Sequence, residues 1–311
     1  MQEPAELLPA SGGTPAAKDT TSFDQTADAA PGTATIEADE EAAPMAAARP
    51  FNQEVYTENG RWYGTYKKGK YLFPIDETEL ERLDMFHQIF LVARSDVLHS
   101  APICNQKSPR ILDLGCGTGI WGIDMADKYP DGIHIGLDLN YIQPEFIPAN
   151  LSFLQQDIED SISNWPKVYA ETFRHLKPHN GYIEQVEIDW TPRCDDGTLP
   201  RNTHIVQWAN QLLDVIDTLD RSIHLDSNLT RQRLADASFV DIKEEVIRLP
   251  LTGKGKDVGR WFNLSIRQAC QPLSLAPLVR GDSWTPDKIH DLSEKVRVEI
   301  YNNTTHAYYI L

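Results

Sequence analysis

The segment with the clearest chemical potential is the glycine-rich loop Gly115-Cys-Gly117-Thr-Gly119. It directly follows the predicted strand 110–114 and opens the predicted helix 120–129. Glycines let a backbone turn sharply and lie against a ligand, and a helix N-terminus offers unpaired N–H groups to a polar partner. The loop is therefore a predicted cofactor cradle. Together with Gly122, its last two glycines also satisfy the GxGxxG spacing of dinucleotide-binding folds.

Acidic residues at the ends of three successive predicted strands decide between two kinds of cofactor. Asp113 lies just ahead of the glycines, where it can bind the amino acid end of a cofactor but would repel a pyrophosphate. Asp138 is placed to accept two ribose hydroxyls, and Asp157 to meet an adenine amino group. S-adenosylmethionine (AdoMet), which has no phosphate, fits these acids; the alternative is that Asp138 and Asp157 only cap turns. The candidate cofactor-binding residues are Asp113, Gly115, Cys116, Gly117, Thr118, Gly119, Asp138, Leu139, Asp157 and Ile158.

A second group of polar and aromatic residues is a candidate pocket for the acceptor of a methyl group. Methyl transfer from a sulfonium mainly requires alignment of nucleophile, methyl and sulfur, so no signature base is expected. Alternatively, the acids solvate a strand edge and the tyrosines close the core. The candidate acceptor-pocket residues are Tyr63, Tyr66, Glu184, Glu187, Asp189 and Trp190.

The elements around these residues alternate between strand and helix, as in an α/β fold with a mostly parallel sheet flanked by helices. This pattern predicts a Rossmann-like fold of the class I methyltransferase type. The predicted strands are 110–114, 133–138, 151–154, 181–188 and 240–249, with a last strand starting near 306. The predicted helices are 120–129, 165–176, 205–219, 229–237, 261–268 and 286–301, after an earlier one capped by Asp76 with Glu79 as its capping-box partner.

Three regions follow from composition. Residues 1–50 form an acidic tail rich in Ala and Pro, which is predicted to be disordered because it has little apolar surface to bury. Residues 51–108 form an aromatic-rich extension with a helix that packs on the core. Residues 109–311 form the AdoMet-binding domain, with a helical insertion at about 200–237 and a shortened C-terminal end.

Composition also excludes several function classes. The formal net charge of −17 would repel a nucleic acid backbone, so direct nucleic acid binding is not expected. No stretch has the length of a membrane span or the form of a signal peptide, which predicts a location inside the cell. The four cysteines are far apart, and Pro178 separates His175 from His179, so no metal site is predicted. His87 is predicted to be a buried, hydrogen-bonded side chain rather than a ligand.

Several blocks of the chain resemble the LaeA-type methyltransferases, fungal regulators of secondary metabolism and development. The resemblance covers nearly all of the chain beyond the tail. It implies an AdoMet-dependent methyltransferase-like regulator that acts in the nucleus, and possibly also in the cytoplasm, together with velvet-domain proteins. The blocks that carry it are Asn59-Gly-Arg-Trp-Tyr63, Lys68-Gly-Lys-Tyr71, 113–127, 136–144, 173–178 and 186–197.

The chain departs from this family at two places. Between 157–160 and 161–165 it lacks a strand and its connections, roughly 25 residues for such a unit. The strand 182–188 is then expected to close up beside 111–114, with low stability and exposed apolar surface. The last strand, near 306–311, is expected to be short. Either the chain is a natural variant or its gene model omits coding sequence.

A catalytically impaired binding partner and a small-molecule methyltransferase remain alternative functions.

Overall fold

The computed structural model describes residues 53–159, 164–219, 221–252, 257–302 and 305–311. The tail predicted for residues 1–50 lies outside these ranges. All elements described below belong to one unit, Ala47–Leu311. Within the described ranges, no helix is both long enough and apolar enough to cross a membrane.

The extension before the glycine loop contains a hairpin and a long helix. Strands β1 (Val55–Glu58) and β2 (Arg61–Gly64) pair antiparallel across an Asn-Gly turn, the residue pair that tight hairpins favour. Helix α1 (Glu77–Ala93) begins after Asp76, whose side chain accepts the Glu79 N–H as predicted. The Glu79 carboxylate accepts hydrogen bonds from Arg82.

Three parallel strands carry the glycine loop and the predicted acids. They are β3 (Arg110–Leu114), β4 (Ile133–Asp138) and β5 (Leu151–Gln155), hydrogen-bonded in the order β3-β4-β5. Helix α2 (Ile120–Lys128) connects β3 to β4, and its Ala126 packs on one face of the sheet. This unit confirms the predicted α/β class and the first three predicted strands.

Among the residues that the structure describes, the opposite face of this parallel sheet is apolar and largely exposed. In a parallel pair, residues in register point to the same face, and Leu112 is in register with Ile135, while Leu114, Leu137 and Leu154 form the next row. Leu112 is 57% exposed and Leu154 is 51% exposed. The expected exposed apolar surface is therefore present. Parallel sheets are normally covered on both faces, so this arrangement is unusual.

The remaining strands form a second, antiparallel sheet. Strands β6 (Asp189–Arg193), β7 (Arg248–Pro250) and β8 (Tyr308–Ile310) are ordered β6-β8-β7. The last strand predicted from sequence is thus found, at the centre of this sheet. Of the strand predicted at 240–249, only the C-terminal end forms, as part of β7. Its partner β8 has three residues, so the pairing between them is equally short.

The strand predicted at 181–188 is not formed, and this prediction is wrong. Residues 181–188 carry no strand assignment, and the regular strand starts at Asp189. The segment is tied elsewhere, because the Glu184 carboxylate accepts the backbone N–H groups of Ser100 and Ala101 at 2.8 and 3.0 Å. The expected pairing beside β3 does not occur either. Among the strands that the structure describes, β3 pairs only with β4 and stands at a sheet edge.

Five helices complete the described chain, and they hold most of the hydrophobic core. They are α3 (Trp165–His175), α4 (His204–Thr218), α5 (Ser227–Asp236), α6 (Asp257–Gly281) and α7 (Pro286–Asn302). All were predicted, but α6 is far longer than 261–268. It continues through Pro272 and Pro277 because most of its side chains are buried. Burial of many apolar groups at about 1.5–3 kcal/mol each outweighs the cost of about 3 kcal/mol for each proline.

Candidate cofactor site

Three glycines give the loop between β3 and α2 its shape. Gly115, Gly117 and Gly119 have φ angles of 79°, 55° and 81°, in the left-handed region that glycine adopts without strain. The N–H groups of Gly115 and Cys116 both donate to the Leu137 carbonyl, at 2.8 and 3.0 Å. The loop is therefore anchored to the end of β4, with its backbone turned toward the carboxyl ends of the strands.

Asp138 is joined directly to this loop. Its Oδ2 accepts the Gly117 N–H at 2.9 Å, and its Oδ1 accepts the Asn140 N–H at 2.8 Å. Burial raises the pKa of this carboxyl, although the backbone N–H groups that bind it act in the opposite direction. The predicted ribose-binding acid thus lies beside the glycine loop, as the sequence pattern requires. A role limited to turn capping does not explain its bond to Gly117, which is 21 residues away.

Asp113 lies close enough to Asp138 for the two carboxyls to interact. Burial, and then repulsion from Asp138, raises the pKa of Asp113 to about 6. Two acids in this position favour a ligand with a positive charge, since a nearby cation stabilises the ionised carboxylates. AdoMet carries a sulfonium and an ammonium. This pair of acidic side chains therefore fits AdoMet better than a pyrophosphate-containing cofactor.

The space beside the loop also fits a ligand. A Cβ added at Gly115 would meet no described atom within 4 Å, and one at Gly117 would meet only Leu83 Cδ1, at 3.9 Å. A Cβ at Gly119, by contrast, would lie 2.3 Å from the ring of Phe153. The first two glycines therefore border open space, whereas Gly119 is required for packing against β5.

The other predicted loop residues have structural contacts. Thr118 donates its hydroxyl to Asp84 of α1 at 2.6 Å, which fastens the loop to the N-terminal extension. Burial, with the charges of Asp138 and Asp113, raises the pKa of the Cys116 thiol well above its usual value. This thiol is accordingly neutral and unsuited to nucleophilic attack. The Leu139 carbonyl accepts from Gln155 at 3.0 Å.

Asp157, the predicted adenine-binding acid, follows β5 and is only 2% exposed. Its Oδ2 accepts from Lys70 Nζ, and its Oδ1 accepts the Glu159 N–H at 2.9 Å. Burial alone would raise the pKa of Asp157, but the hydrogen bond from Lys70 holds it below the usual range. Ile158, the next predicted contact, is half-buried beside it.

The six candidate acceptor-pocket residues have different neighbours. Tyr63 is 1% exposed, stacks on Tyr56 and lies under Arg280. Tyr66 lines an open cleft of about 580 Å³, whose other lining residues are Gln53, Glu54, Thr65, Lys67, Tyr141 and Gln155. This cleft lies next to the ends of β4 and β5.

The other four members lie in or before β6. Glu184 binds Arg94, Glu187 accepts from Gln185 at 3.0 Å, and Asp189 binds Arg193. Trp190 packs in the main core against Phe86, Trp208 and Tyr309. The alternative that the tyrosines close the core fits Tyr63, which is buried, but not Tyr66, which is 36% exposed. A shared pocket formed by all six remains a prediction.

Two residues at this site were not predicted from the sequence. Gln143 donates to the Gly117 carbonyl at 2.6 Å, and Lys70 reaches Asp157 across 87 residues of sequence. Both lie inside blocks that carry the family resemblance, which was the available signal.

His87 is buried and pairs with Asp124 at 2.8 Å, as predicted. In the part of the chain that the structure describes, no cluster of three His, Cys, Asp or Glu residues could hold a metal.

No protein-family model matches the chain. Among solved structures, the cyclopropane synthase MmaA2 from Mycobacterium tuberculosis is similar at a TM-score of 0.36 and 14% identity, over 77% of this chain and 90% of that one. A likeness this distant says nothing about what the chain binds.

Curated sequences are much closer. The secondary metabolism regulator LAE1 of Cochliobolus heterostrophus is 42% identical over 83% of this chain and 93% of its own length. The protein-methionine methyltransferase laeA of Chaetomium globosum is 46% identical over 82% of this chain and 67% of its own length. The secondary metabolism regulator laeA of Aspergillus flavus is 41% identical over 83% and 76%. With such identity along almost the full length of a relative, the chain belongs to the LaeA family of secondary metabolism regulators.

Proposed function

We propose that the chain is an AdoMet-dependent methyltransferase that regulates secondary metabolism and development in the nucleus, together with velvet-domain proteins. Family membership supports the regulatory role, and the name of the Chaetomium globosum relative supports transfer to a methionine side chain of a protein. The observation that carries the proposal is the bond from the Gly117 N–H to Asp138, which joins the glycine loop to the acid that a ribose would need.

The residues have separable roles toward the cofactor. Asp113 would hold the ammonium end, Asp138 the ribose hydroxyls and Asp157 the adenine amino group, while the left-handed glycines let the backbone approach the ligand. AdoMet, when bound, supplies a methyl group on a sulfonium. The protein then contributes mainly alignment and exclusion of water, because transfer to a neutral sulfur requires no proton to be removed.

Calorimetry with AdoMet and S-adenosylhomocysteine tests cofactor binding directly. Transfer of a labelled methyl group from AdoMet to a methionine-containing protein, checked by mass spectrometry, tests the acceptor class. Binding of both ligands with methionine labelling supports the proposal, whereas no heat of binding at ligand concentrations up to the millimolar range contradicts it.

A second candidate is a binding partner that keeps the fold but has lost catalysis. Two observations favour it: the open apolar face that contains Leu112 and Leu154, and the ion pair that occupies Asp157. The methyl-transfer assay, together with a test of association, distinguishes the two candidates. A chain that associates with a velvet-domain protein in size-exclusion chromatography, but transfers no methyl group, would support the partner role.

The proposed location and partners need their own test. Fluorescently tagged full-length chain should accumulate in nuclei, and velvet-domain proteins should co-purify with it from the same cells. Exclusion from nuclei, or purification without any velvet-domain protein, would contradict this part of the proposal.

A further inference from the structure

Lys70 joins the N-terminal extension to the end of the parallel sheet. It lies in the loop between β2 and α1, next to Gly69, whose φ of 85° only glycine adopts easily. Its ammonium binds Asp157 and also lies 2.9 Å from Glu159 Oε2. Oε2 of Glu159 is in turn 3.5 Å from Nη1 of Arg221. The Lys70 ammonium therefore lies in a small network of charged side chains that includes Asp157, the third predicted cofactor-binding acid.

This network uses both oxygens of the Asp157 carboxylate. One oxygen accepts from Lys70 and the other accepts the Glu159 N–H, and the side chain is almost entirely buried. Burial lowers the pKa of Lys70. The hydrogen bonds to Asp157 and Glu159 nevertheless leave this pKa above its ordinary value. Because Lys70 Nζ is bonded to Asp157 Oδ2 and the Glu159 N–H to Oδ1, a further donor to this carboxylate has to share an oxygen with one of them.

We infer that Lys70 competes with the adenine amino group of AdoMet for Asp157, and so sets both the affinity and the adenine selectivity of the cofactor site. The inference rests on the proposed function. Binding exchanges the Lys70–Asp157 ion pair for a hydrogen bond from the adenine amino group, and the ammonium moves into solvent or onto Glu159. The loop that carries Lys70 is thereby loosened whenever the cofactor is bound.

The exchange has a defined chemical signature. An adenine presents an amino donor at its 6-position, which suits a free carboxylate. A hypoxanthine presents a carbonyl oxygen there, which suits an ammonium and is repelled by a carboxylate. Removing the Lys70 charge should therefore favour adenine ligands and not hypoxanthine ligands. A purely structural ion pair would have no such preference.

The test compares Lys70→Gln with Lys68→Gln in the full chain. Lys68 is a matched control because it lies in the same loop, where its ammonium is 4.3 Å from the ring centre of Tyr56. Calorimetry is run with S-adenosylhomocysteine and S-inosylhomocysteine. We expect Lys70→Gln to bind the adenosyl ligand about fivefold more tightly, the order expected for loss of one competing ion pair. The inosyl ligand should gain nothing, and Lys68→Gln should match the parent.

Equal adenosyl affinities in Lys70→Gln and the parent, or equal gains for both ligands, would overturn the inference while leaving the proposed function intact. Absence of adenosyl binding in every protein would overturn the proposed function and this inference with it.

Lysine labelling of the unaltered chain gives a second readout that does not depend on how a variant folds. Reductive methylation followed by mass spectrometry should modify Lys70 slowly in the free protein and faster with saturating S-adenosylhomocysteine. Lys68 should react equally in both samples. A rate at Lys70 that is unchanged or reduced by the ligand would show that the ion pair persists, which contradicts competition.

Discussion

The backbone N–H of Gly117 donates to Oδ2 of Asp138 at 2.9 Å, so the glycine loop and the end of β4 are hydrogen-bonded to each other. This bond holds the acid beside the loop. Its carboxylate has lone pairs beyond those used by Gly117 and Asn140, which allows it to bind hydroxyl groups without first breaking the loop.

Gly117→Val should abolish AdoMet binding while the domain remains folded. The φ of 55° is strained for a branched residue by about 1–2 kcal/mol, and the new side chain would enter the open space beside the loop. Gly60→Val is a matched control, because Gly60 also has a positive φ, of 75°, with open space around its Cβ, but lies in the β1–β2 turn. Calorimetry should show binding only in the control. AdoMet affinity close to that of the parent in Gly117→Val would contradict the site assignment.

Asp138→Ala should weaken AdoMet binding by about 1–3 kcal/mol, the usual loss when a hydrogen bond to a charged acceptor is removed. It also leaves the Gly117 N–H without its acceptor. Asp138→Asn keeps one carbonyl oxygen and should lose less. An unchanged affinity in both variants, measured by calorimetry, would mean that β4 does not border the cofactor.

Sequence patterns predicted which of these residues lie together better than they predicted the sheet around them. Glycines at a strand–helix junction and acids at strand ends are local signals, and Asp113, Gly117 and Asp138 lie together as expected. The strand at 181–188 was predicted from its place in the alternation of strands and helices along the chain. A strand also needs a partner with a free edge, and this segment is held by Glu184 instead. That requirement depends on tertiary contacts, which a local pattern does not contain.

The contact between Lys70 and Asp157 shows the same limit for the site. Nothing in the residue types around Lys70 distinguishes it from Lys68, which lies over an aromatic ring. The difference arises because the loop after β2 brings one lysine, and not the other, to the end of β5.

AdoMet affinity should rise with pH between about pH 5 and pH 7. The Asp113 carboxyl, with its pKa raised to about 6, must be ionised to bind an ammonium. At pH 5 only about one-tenth of it is ionised, so the apparent dissociation constant should be about tenfold higher than at pH 7. Asp113→Asn should bind AdoMet weakly at every pH. A flat pH profile in the parent would exclude this role for Asp113.

The ligand-free protein should show the opposite trend in stability. A carboxyl whose folded-state pKa is raised contributes stability that is complete below its unfolded pKa of about 4 and is lost as the pH rises through about 6. Denaturant unfolding should therefore give a free energy that falls over this range in the parent more than in Asp113→Asn. A parallel pH dependence in the two proteins would show that Asp113 is not perturbed.

The open face of the parallel sheet leads to a prediction that compares two leucines on one strand. Leu151 and Leu154 both lie on β5, but Leu151 is 5% exposed under α2 whereas Leu154 is on the uncovered face. Leu151→Ala should cost about 2–5 kcal/mol in free energy of unfolding, because it leaves a cavity. Leu154→Ala should change it by no more than about 0.5 kcal/mol, as for surface positions generally.

The two variants should also differ in how they bind a hydrophobic dye. An uncovered row of apolar side chains is a site for dye binding and for association between molecules. Leu154→Ala, alone or with Leu112→Ala, should therefore lower dye fluorescence and self-association of the folded protein, whereas Leu151→Ala should raise both by destabilising it. Hydrogen exchange offers an independent check, since edge strand β3 should exchange faster than β4, which has partners on both sides. A large loss of stability in Leu154→Ala, or equal protection of β3 and β4, would mean that this face and edge are covered in solution.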